Sequence, residues 1–267
     1  MPPLAVAMSH AFFEDPMGSW PSDLCDKLGE SRTHSASPNS YVDIYNEELV
    51  MKTVLLISGN VGKERLAREV DMIHLAGEDC AIPVVGRHFK RGVINGFVTR
   101  LGKCLTSGRG HDISPEIFER RLSVIQQFSA LLDRLHSKGI IHGDIKPSNM
   151  VLDAADNLRF IDFAEAMLES EPPRRNASTT HYNSPYSLKT RSPLTRANDM
   201  YAAGVTIWHI YMGHVPFKDI DENLGRLIAD GLRPDLSVVD DEAVRALIST
   251  YLEAGEPQAK DIVQIGS

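Results

Sequence analysis

The sequence predicts an α+β fold with a small β-rich part that holds one helix, followed by a larger, mainly helical part. Strand-like runs rich in β-branched and aromatic residues dominate up to about residue 105. The Ser-Gly-Arg-Gly stretch at 107–110 ends this pattern, and beyond it apolar residues recur at helical spacing. A chain of 267 residues is long enough for one large domain or two small lobes.

The N-terminal part is predicted to begin with an irregular segment and to continue as two strand pairs. Residues 1–22 contain four prolines, which leaves 23–105 for the β-rich part. The predicted strands are, in order, 40–46, 48–57, 82–92 and 93–102. The first two flank Asn46-Glu47, so we expect a hairpin there.

One helix is predicted within this part, at 63–77. Leu66, Val70 and Ile73 recur at helical spacing along it. The helix is predicted to end at Gly77, because glycine adopts the left-handed conformation common just after a helix.

The C-terminal part, 106–267, is predicted to be mainly helical. The predicted helices are 115–138, 199–214, 223–231 and 241–255, with short strands near 149–152 and 158–161 and a loop over 170–196. The stretch 199–214 is apolar nearly all round, which is typical of a buried helix.

Composition argues against several classes of protein. The net charge of −8 does not suit a general nucleic-acid binder, and no apolar run approaches the roughly 20 residues of a membrane span. Three widely spaced cysteines predict neither a zinc site nor a disulfide framework. The N-terminus lacks the basic region of a secretory signal, so we expect a cytoplasmic or nuclear protein with no nucleic-acid or membrane partner.

Two polar clusters carry the candidate chemistry. The first, "IIHGDIKPSNMVL" at 140–152, sets His142, Asp144, Lys146 and Asn149 between two apolar runs. The second, "FIDFAEA", contains Asp162, eighteen residues after Asp144. In order and separation they resemble the catalytic and metal loops of eukaryotic protein kinases, H-R-D-x-K-P-x-x-N followed by D-F-G. The resemblance implies the bilobal kinase fold, in which both parts form one kinase domain.

The resemblance also implies a role for each of these residues, with ATP and Mg²⁺ as cofactors. Asp144 would orient the attacking hydroxyl and accept its proton, and Lys146 would offset the charge of the moving phosphoryl group. Asn149 and Asp162 would hold Mg²⁺, which prefers sparse oxygen ligation. Lys146, two residues after Asp144, favours a serine/threonine kinase over a tyrosine kinase.

Upstream, "LVMK" at 49–52 resembles the strand whose lysine binds the nucleotide phosphates, which assigns that role to Lys52. Glu69 stands where the family's helix supplies the carboxylate partner of this lysine. Glu64 is a competing partner, but five residues earlier it would face elsewhere on the helix. Thr99 is expected near the adenine.

Downstream, "STTHYNSPY" at 178–186 resembles the peptide-docking segment, in which Thr179 would bond Asp144 and Lys146. "DMYAAGV" at 199–205 resembles the start of the central buried helix, where Asp199 would accept backbone N–H bonds from the catalytic loop. The resemblance covers roughly residues 24–250.

The sequence also departs from the family pattern. The nucleotide-covering segment 28–42 keeps only Gly29 of the glycines that let backbone N–H groups approach phosphate. Ala164 replaces the glycine of D-F-G, and Tyr186 replaces a glutamate that normally pairs with an arginine near the domain's end. That arginine motif is also missing, so the C-terminal lobe is expected to be trimmed. Gly143 replaces the arginine of H-R-D, so phosphorylation of the activation loop should matter less.

Three functions fit these residues. The leading one is an ATP-dependent protein kinase that transfers the γ-phosphoryl group to serine or threonine hydroxyls of a protein substrate. The eroded glycine segment and Ala164 keep open a pseudokinase scaffold. The third is a small-molecule kinase, because the sequence His-Gly-Asp also occurs in such enzymes.

Overall fold

The computed structural model describes residues 19–20, 31–36, 40–54, 59–90, 93–107, 112–220 and 222–256. Gly29 of the nucleotide-covering segment lies outside these residues. The chain divides into two compact units, 1–102 and 103–267. The first combines a sheet with a helix and the second is mainly helical, so the predicted α+β kinase-like fold is confirmed.

The described part of the N-terminal unit is a six-stranded sheet with one helix against it. Its strands are β1 (Ser19–Trp20), β2 (Ser31–Ala36), β3 (Ser40–Tyr45), β4 (Leu49–Val54), β5 (Val84–Lys90) and β6 (Val93–Arg100). Their order in the sheet is β1-β5-β6-β4-β3-β2, and every pair is antiparallel except β1 with β5. The two predicted strand pairs are therefore confirmed. Ser19–Trp20, within the segment predicted to be irregular, adds a short edge strand.

The first hairpin turns where the sequence predicted it. Asn46 and Glu47 both have positive φ, 50° and 54°, and the Glu48 N–H donates to the Tyr45 carbonyl at 3.1 Å. This conformation matches the right-handed twist of the two strands, and asparagine tolerates it better than most residues.

Helix α1 (Gly59–Ala76) packs on this sheet. It begins four residues before the predicted start, because the Gly-Asn-Val-Gly turn lacks the apolar repeat that marked the rest of the helix. The three apolar residues whose spacing predicted this helix, Leu66, Val70 and Ile73, are buried. Gly77 ends the helix at φ 74°, and its N–H donates to the Ile73 carbonyl at 3.1 Å.

The C-terminal unit contains short strands and six helices within the residues described. The strands are β7 (Lys103–Cys104), β8 (Thr106–Ser107), β9 (Asp112–Ile113), β10 (Ile140–Ile141), β11 (Met150–Leu152), β12 (Leu158–Phe160) and β13 (Met167–Leu168). The helices are α2 (Pro115–Glu119), α3 (Arg121–Ser137), α4 (Pro185–Thr190), α5 (Arg196–Met212), α6 (Leu224–Ala229) and α7 (Glu242–Ala254). Strand β11 pairs with β12 and β7, and β10 pairs with β13.

Two local predictions were wrong. The single helix predicted over 115–138 is divided at Arg120, whose φ of −109° and ψ of 20° leave the helical region. The loop predicted over 170–196 contains α4, because Ser184 accepts a hydrogen bond from the Ser187 N–H at 3.0 Å and Pro185 occupies the first helical position. The polar composition of this stretch concealed that start signal.

Helix α5 is the centre of this unit and is buried along nearly its whole length, as its apolar sequence predicted. It packs against α3 and, most closely, α7. A Cβ added at Gly204 would lie 2.9 Å from Leu252 Cγ and 3.1 Å from the Leu252 backbone nitrogen. The glycine therefore permits this close approach. No helix in the described part of the chain has the length and hydrophobicity needed to cross a bilayer.

We predict that Gly204→Ala lowers the free energy of unfolding, although alanine in a helix interior normally gains about 1 kcal/mol over glycine. The added methyl group would force α5 and α7 apart, at a cost of about 1–3 kcal/mol. The control is Gly225→Ala in α6, where the nearest atom lies at an ordinary 3.4 Å. Urea unfolding of both variants tests this. Equal stability of the two variants would contradict the close packing.

Candidate active site

The candidate catalytic loop, residues 142–149, lies between β10 and β11 and packs around a buried histidine. His142 lies between the rings of Phe160 and Phe163, each 4.9 Å away between centroids. Its Nε2 is 3.2 Å from the Ile161 carbonyl oxygen. Burial lowers the pKa of His142, and nearby carboxylates oppose the shift only in part. The ring is therefore a neutral packing element that positions the loop.

Asp199, in the first turn of α5, accepts hydrogen bonds from the backbone of the same loop. Its carboxylate is 1% exposed and accepts the N–H of His142 at 2.7 Å and the N–H of Gly143 at 2.9 Å. It is also 3.0 Å from His136 Nε2 on α3. The backbone bonds expected of Asp199 are present. The contribution of His136 was missed, and the only sequence signal was a histidine on an apolar helix face.

Gly143 meets a steric requirement. Its φ is +82°, and an added Cβ would lie 2.8 Å from the Glu165 carbonyl oxygen and 2.9 Å from Leu194 Cδ2. Backbone on one side and a buried leucine on the other leave no space for a side chain. The packing of the loop therefore requires glycine at this position.

The carboxylate of Asp144 accepts four hydrogen bonds from the polar cluster. Its Oδ1 accepts from the N–H of Thr179 at 3.0 Å and from the Thr179 hydroxyl at 2.8 Å. Its Oδ2 accepts from Lys146 Nζ at 2.6 Å and from Asn149 Nδ2 at 2.9 Å. Lys146 Nζ also donates to Thr179 Oγ1 at 2.7 Å. Four donors thus hold a carboxylate that stays 15% exposed, so it is oriented yet reachable.

Two side chains could hold a divalent ion. Both hydrogens of Asn149 Nδ2 are directed at Asp144, onto its carbonyl oxygen at 2.9 Å and its Oδ2, which leaves the amide oxygen as a ligand. Asp162 follows β12 and Asn149 precedes β11, so both lie at the same end of this antiparallel pair. The Ile161 N–H donates to the Asn149 carbonyl at 3.0 Å. Asp162 has an uncommon φ of 60°, of the kind that clusters at functional sites.

These oxygen donors fit Mg²⁺, which keeps several waters and needs few protein ligands. Within the described ranges no cluster of three or more His, Cys, Asp or Glu side chains forms a complete metal site. A softer metal such as zinc would need such a cluster.

The N-terminal unit carries the second group of candidates. Lys52 Nζ on β4 donates to Glu69 Oε1 on α1 at 2.8 Å, and the glutamate is only 2% exposed. The competing Glu64 is exposed. Thr99 lies near the end of β6, half-buried, opposite Val50 and Val84 of the neighbouring strands. Its expected place near adenine stays a prediction.

Comparison with known proteins agrees with this geometry. Residues 106–260, more than half of the chain, match the family described as the protein kinase domain. The chain belongs to the protein kinase family. Members of this family in general use ATP and a divalent metal.

Several similar proteins are named as serine/threonine kinases. The chain is 30% identical to serine/threonine-protein kinase mos of Patiria pectinifera over 169 residues, 58% of this chain and 47% of that protein. It is 23% identical to CBL-interacting protein kinase 10 of Oryza sativa subsp. japonica over 201 residues, 72% of this chain and 42% of that protein. It is 29% identical to serine/threonine-protein kinase GIN4 of Saccharomyces cerevisiae over 111 residues, 41% of this chain and 10% of that protein. The chain thus spans less than half the length of each.

Arg233 and Glu256 form an ion pair near Tyr186. Tyr186 stands where the family has glutamate, and its backbone N–H lowers the pKa of Glu256, two residues beyond α7. Arg233 NH2 lies 3.2 Å from Glu256 Oε1. Burial raises the pKa of Glu256, while Arg233 and the Tyr186 N–H oppose that shift. The sequence had indicated that both partners were lost, whereas the fold brings a carboxylate and an arginine to this position from other elements.

We predict that Gly143→Ala destabilises the kinase more than Gly139→Ala. Both positions have positive φ, +82° and +69°, which costs an alanine about 1–2 kcal/mol. Only Gly143 has backbone within 3 Å of the added atom, while nothing lies within 4 Å at Gly139. The difference between their free energies of unfolding, measured in urea, isolates the clash. A difference near zero would show that the loop has room.

We also predict that acid destabilises the kinase through His142. A histidine whose folded pKa lies below its unfolded value of about 6.5 contributes stability above that pH. The contribution is lost as the pH falls below 6.5, because the unfolded state then binds the proton more tightly. One such group changes the free energy of unfolding by at most about 1.4 kcal/mol per pH unit.

The measurement compares urea unfolding at pH 7.5 and pH 5.5 for the wild type and His142→Phe, which keeps an aromatic ring between Phe160 and Phe163. The variant should lose less stability on acidification. Parallel pH profiles would assign the acid sensitivity to other groups.

Proposed function

We propose that this chain transfers the γ-phosphoryl group of ATP to serine or threonine hydroxyls of a protein substrate, with Mg²⁺ as the metal. The observation that carries the proposal is the single orientation of Asp144, whose two carboxylate oxygens receive bonds from Thr179, Lys146 and Asn149. Phosphoryl transfer depends mainly on such positioning and on charge stabilisation.

In the proposed reaction the acceptor hydroxyl oxygen attacks the γ-phosphorus of ATP while Asp144 orients the hydroxyl and accepts its proton. The bond to the β-phosphate oxygen breaks, and ADP leaves with that electron pair. Lys146 offsets negative charge on the moving group, and Thr179 holds both residues in place. When bound, Mg²⁺ supplies further positive charge, and Asn149 and Asp162 would hold it.

We assign nucleotide binding to residues of the N-terminal unit. Lys52 would contact the phosphates, and its bond to the buried Glu69 supports that role because the pair fixes the ammonium group in one position. Gly29 and Thr99 are assigned to the nucleotide by the resemblance alone.

A second candidate function is a scaffold that keeps the fold without transferring phosphate. One observation favours it: segment 28–42 has a single glycine, so fewer backbone N–H groups can approach a phosphate closely. Stabilisation by Mg·ATP without turnover would identify such a scaffold. A ligand at 100 times its Kd stabilises a protein by about 2.7 kcal/mol, which a thermal-unfolding assay detects readily.

We predict that Asp144→Asn lowers kcat at least about 100-fold, because loss of a general base removes a factor of this size. Stabilisation by Mg·ATP should survive, since no nucleotide role is assigned to Asp144. Transfer of the γ-phosphoryl group to a generic protein acceptor is the measurement, with aminoglycoside-type acceptors alongside to expose a small-molecule kinase.

The control is Asp153→Asn, which makes the same charge change in the exposed turn between β11 and β12. It should leave kcat unchanged. If Asp144→Asn turns over like the wild type, Asp144 is not the base.

A further inference from the structure

Thr179, which contacts Asp144, is itself held by a side chain that the family resemblance did not single out. Asn183 Nδ2 donates to the carbonyl oxygen of Ser178 at 3.1 Å and to that of Thr179 at 3.2 Å. The Ser178 carbonyl belongs to the same peptide unit as the Thr179 N–H. Both polar groups of that planar unit are therefore hydrogen-bonded: its C=O accepts from Asn183, and its N–H donates to Asp144.

Asn183 is in turn held by neighbouring neutral groups. It is buried, and its Oδ1 accepts from Asn176 Nδ2 at 2.8 Å and lies 2.8 Å from Ser178 Oγ. Asn176 Oδ1 accepts from the Ser178 N–H at 3.1 Å. Because both ends of the Asn183 amide are engaged, its plane has one orientation.

The amide network is tied to the helical part of the unit. Asn176 Nδ2 also donates to Ser187 Oγ on α4 at 2.9 Å, and Asn198 Nδ2 on α5 donates to the same oxygen at 3.2 Å. Asn198 additionally caps α5, because its Oδ1 accepts from the Thr195 N–H at 2.7 Å. The segment before Thr179 is thus connected to two helices by side-chain amides and hydroxyls.

We propose that Asn183 is a positioning residue for phosphoryl transfer: it orients the Ser178–Thr179 peptide unit, and that unit orients the Asp144 carboxylate. The inference rests on the proposed function of Asp144. Asn183, Asn176 and Ser178, which we call the amide clamp, carry no charge. The clamp therefore holds the segment without a phosphate group on it. This agrees with Gly143, where the loop has no room for the arginine that would bind such a phosphate.

The mechanism by which Asn183 acts predicts a specific kinetic signature. Asp144 would keep its charge and its bonds to Lys146 and Asn149 when Asn183 is removed, but its Oδ1 would lose a fixed partner. Misplacement of a catalytic group by about 1 Å can cost a factor of about 100 in rate. The KM for ATP should not change, since the clamp contacts no residue assigned to the nucleotide.

The experiment measures kcat and the KM for ATP in Asn183→Ala, with Asn198→Ala as the matched control. The control removes an asparagine from the same network, and a helix cap with it, but does not touch Thr179. Asn183→Ala should lower kcat about 10- to 100-fold with the KM for ATP unchanged. Asn198→Ala should lower the thermal midpoint and retain kcat.

Hydrogen–deuterium exchange gives a readout that does not need activity. The Thr179 amide donates to Asp144 in the wild type, so it should exchange faster in Asn183→Ala and at the wild-type rate in Asn198→Ala. If the wild type transfers no phosphate, the proposed function fails, and the exchange measurement still decides the role of the clamp. If Asn183→Ala does not fold, Asn183→Asp, which keeps the size but not the donor, replaces it.

Either of two results would overturn the proposal. One is an Asn183 variant with wild-type kcat and a protected Thr179 amide. The other is an equal loss of kcat in Asn198→Ala, which would make the effect of Asn183 a general consequence of destabilisation. A double variant with Thr179→Ala adds a further check, because residues that act through one another are not additive.

Discussion

Asp199 places a carboxylate inside the C-terminal unit, and the geometry of the catalytic loop depends on it. An ion that is 1% exposed is costly unless hydrogen bonds satisfy it, and here the donors are the N–H groups of His142 and Gly143 together with His136. The loop must therefore present two consecutive N–H groups to one carboxylate. That requirement agrees with the positive φ of Gly143, the residue directly before Asp144.

Hydrogen bonds also connect this loop to a later segment of the chain. Asp144 is shared between Lys146 and Asn149 of its own loop and Thr179 of a segment 35 residues later in the chain. The amide clamp binds that segment at the Ser178 and Thr179 carbonyl oxygens. Neutral amides and a hydroxyl thus hold this segment through hydrogen bonds. Such a network is strong only when every group is satisfied, which makes single amide deletions informative.

Local patterns predicted much of the fold. Three features follow from a few neighbouring residues each: the turn at Asn46-Glu47, the end of α1 at Gly77 and the burial of α5. The local sequence is therefore enough to predict them. The division of the helix at Arg120 and the presence of α4 were not predicted, because apolar periodicity continues through the first and polar composition hides the second. Short elements stabilised by contacts elsewhere leave a weak local signal.

The sequence by itself determined the family and the candidate residues, since the ordered motifs around Asp144, Asp162 and Asp199 are written in contiguous stretches. Only the tertiary structure decided which side chains support them. His136 and Asn183 have no motif of their own, and the pairing of Arg233 with Glu256 joins residues 23 positions apart. The physical reason is that a hydrogen bond or ion pair depends on distances of about 3 Å between atoms. Such distances cannot be predicted from separation along the chain, because they depend on how the helices pack.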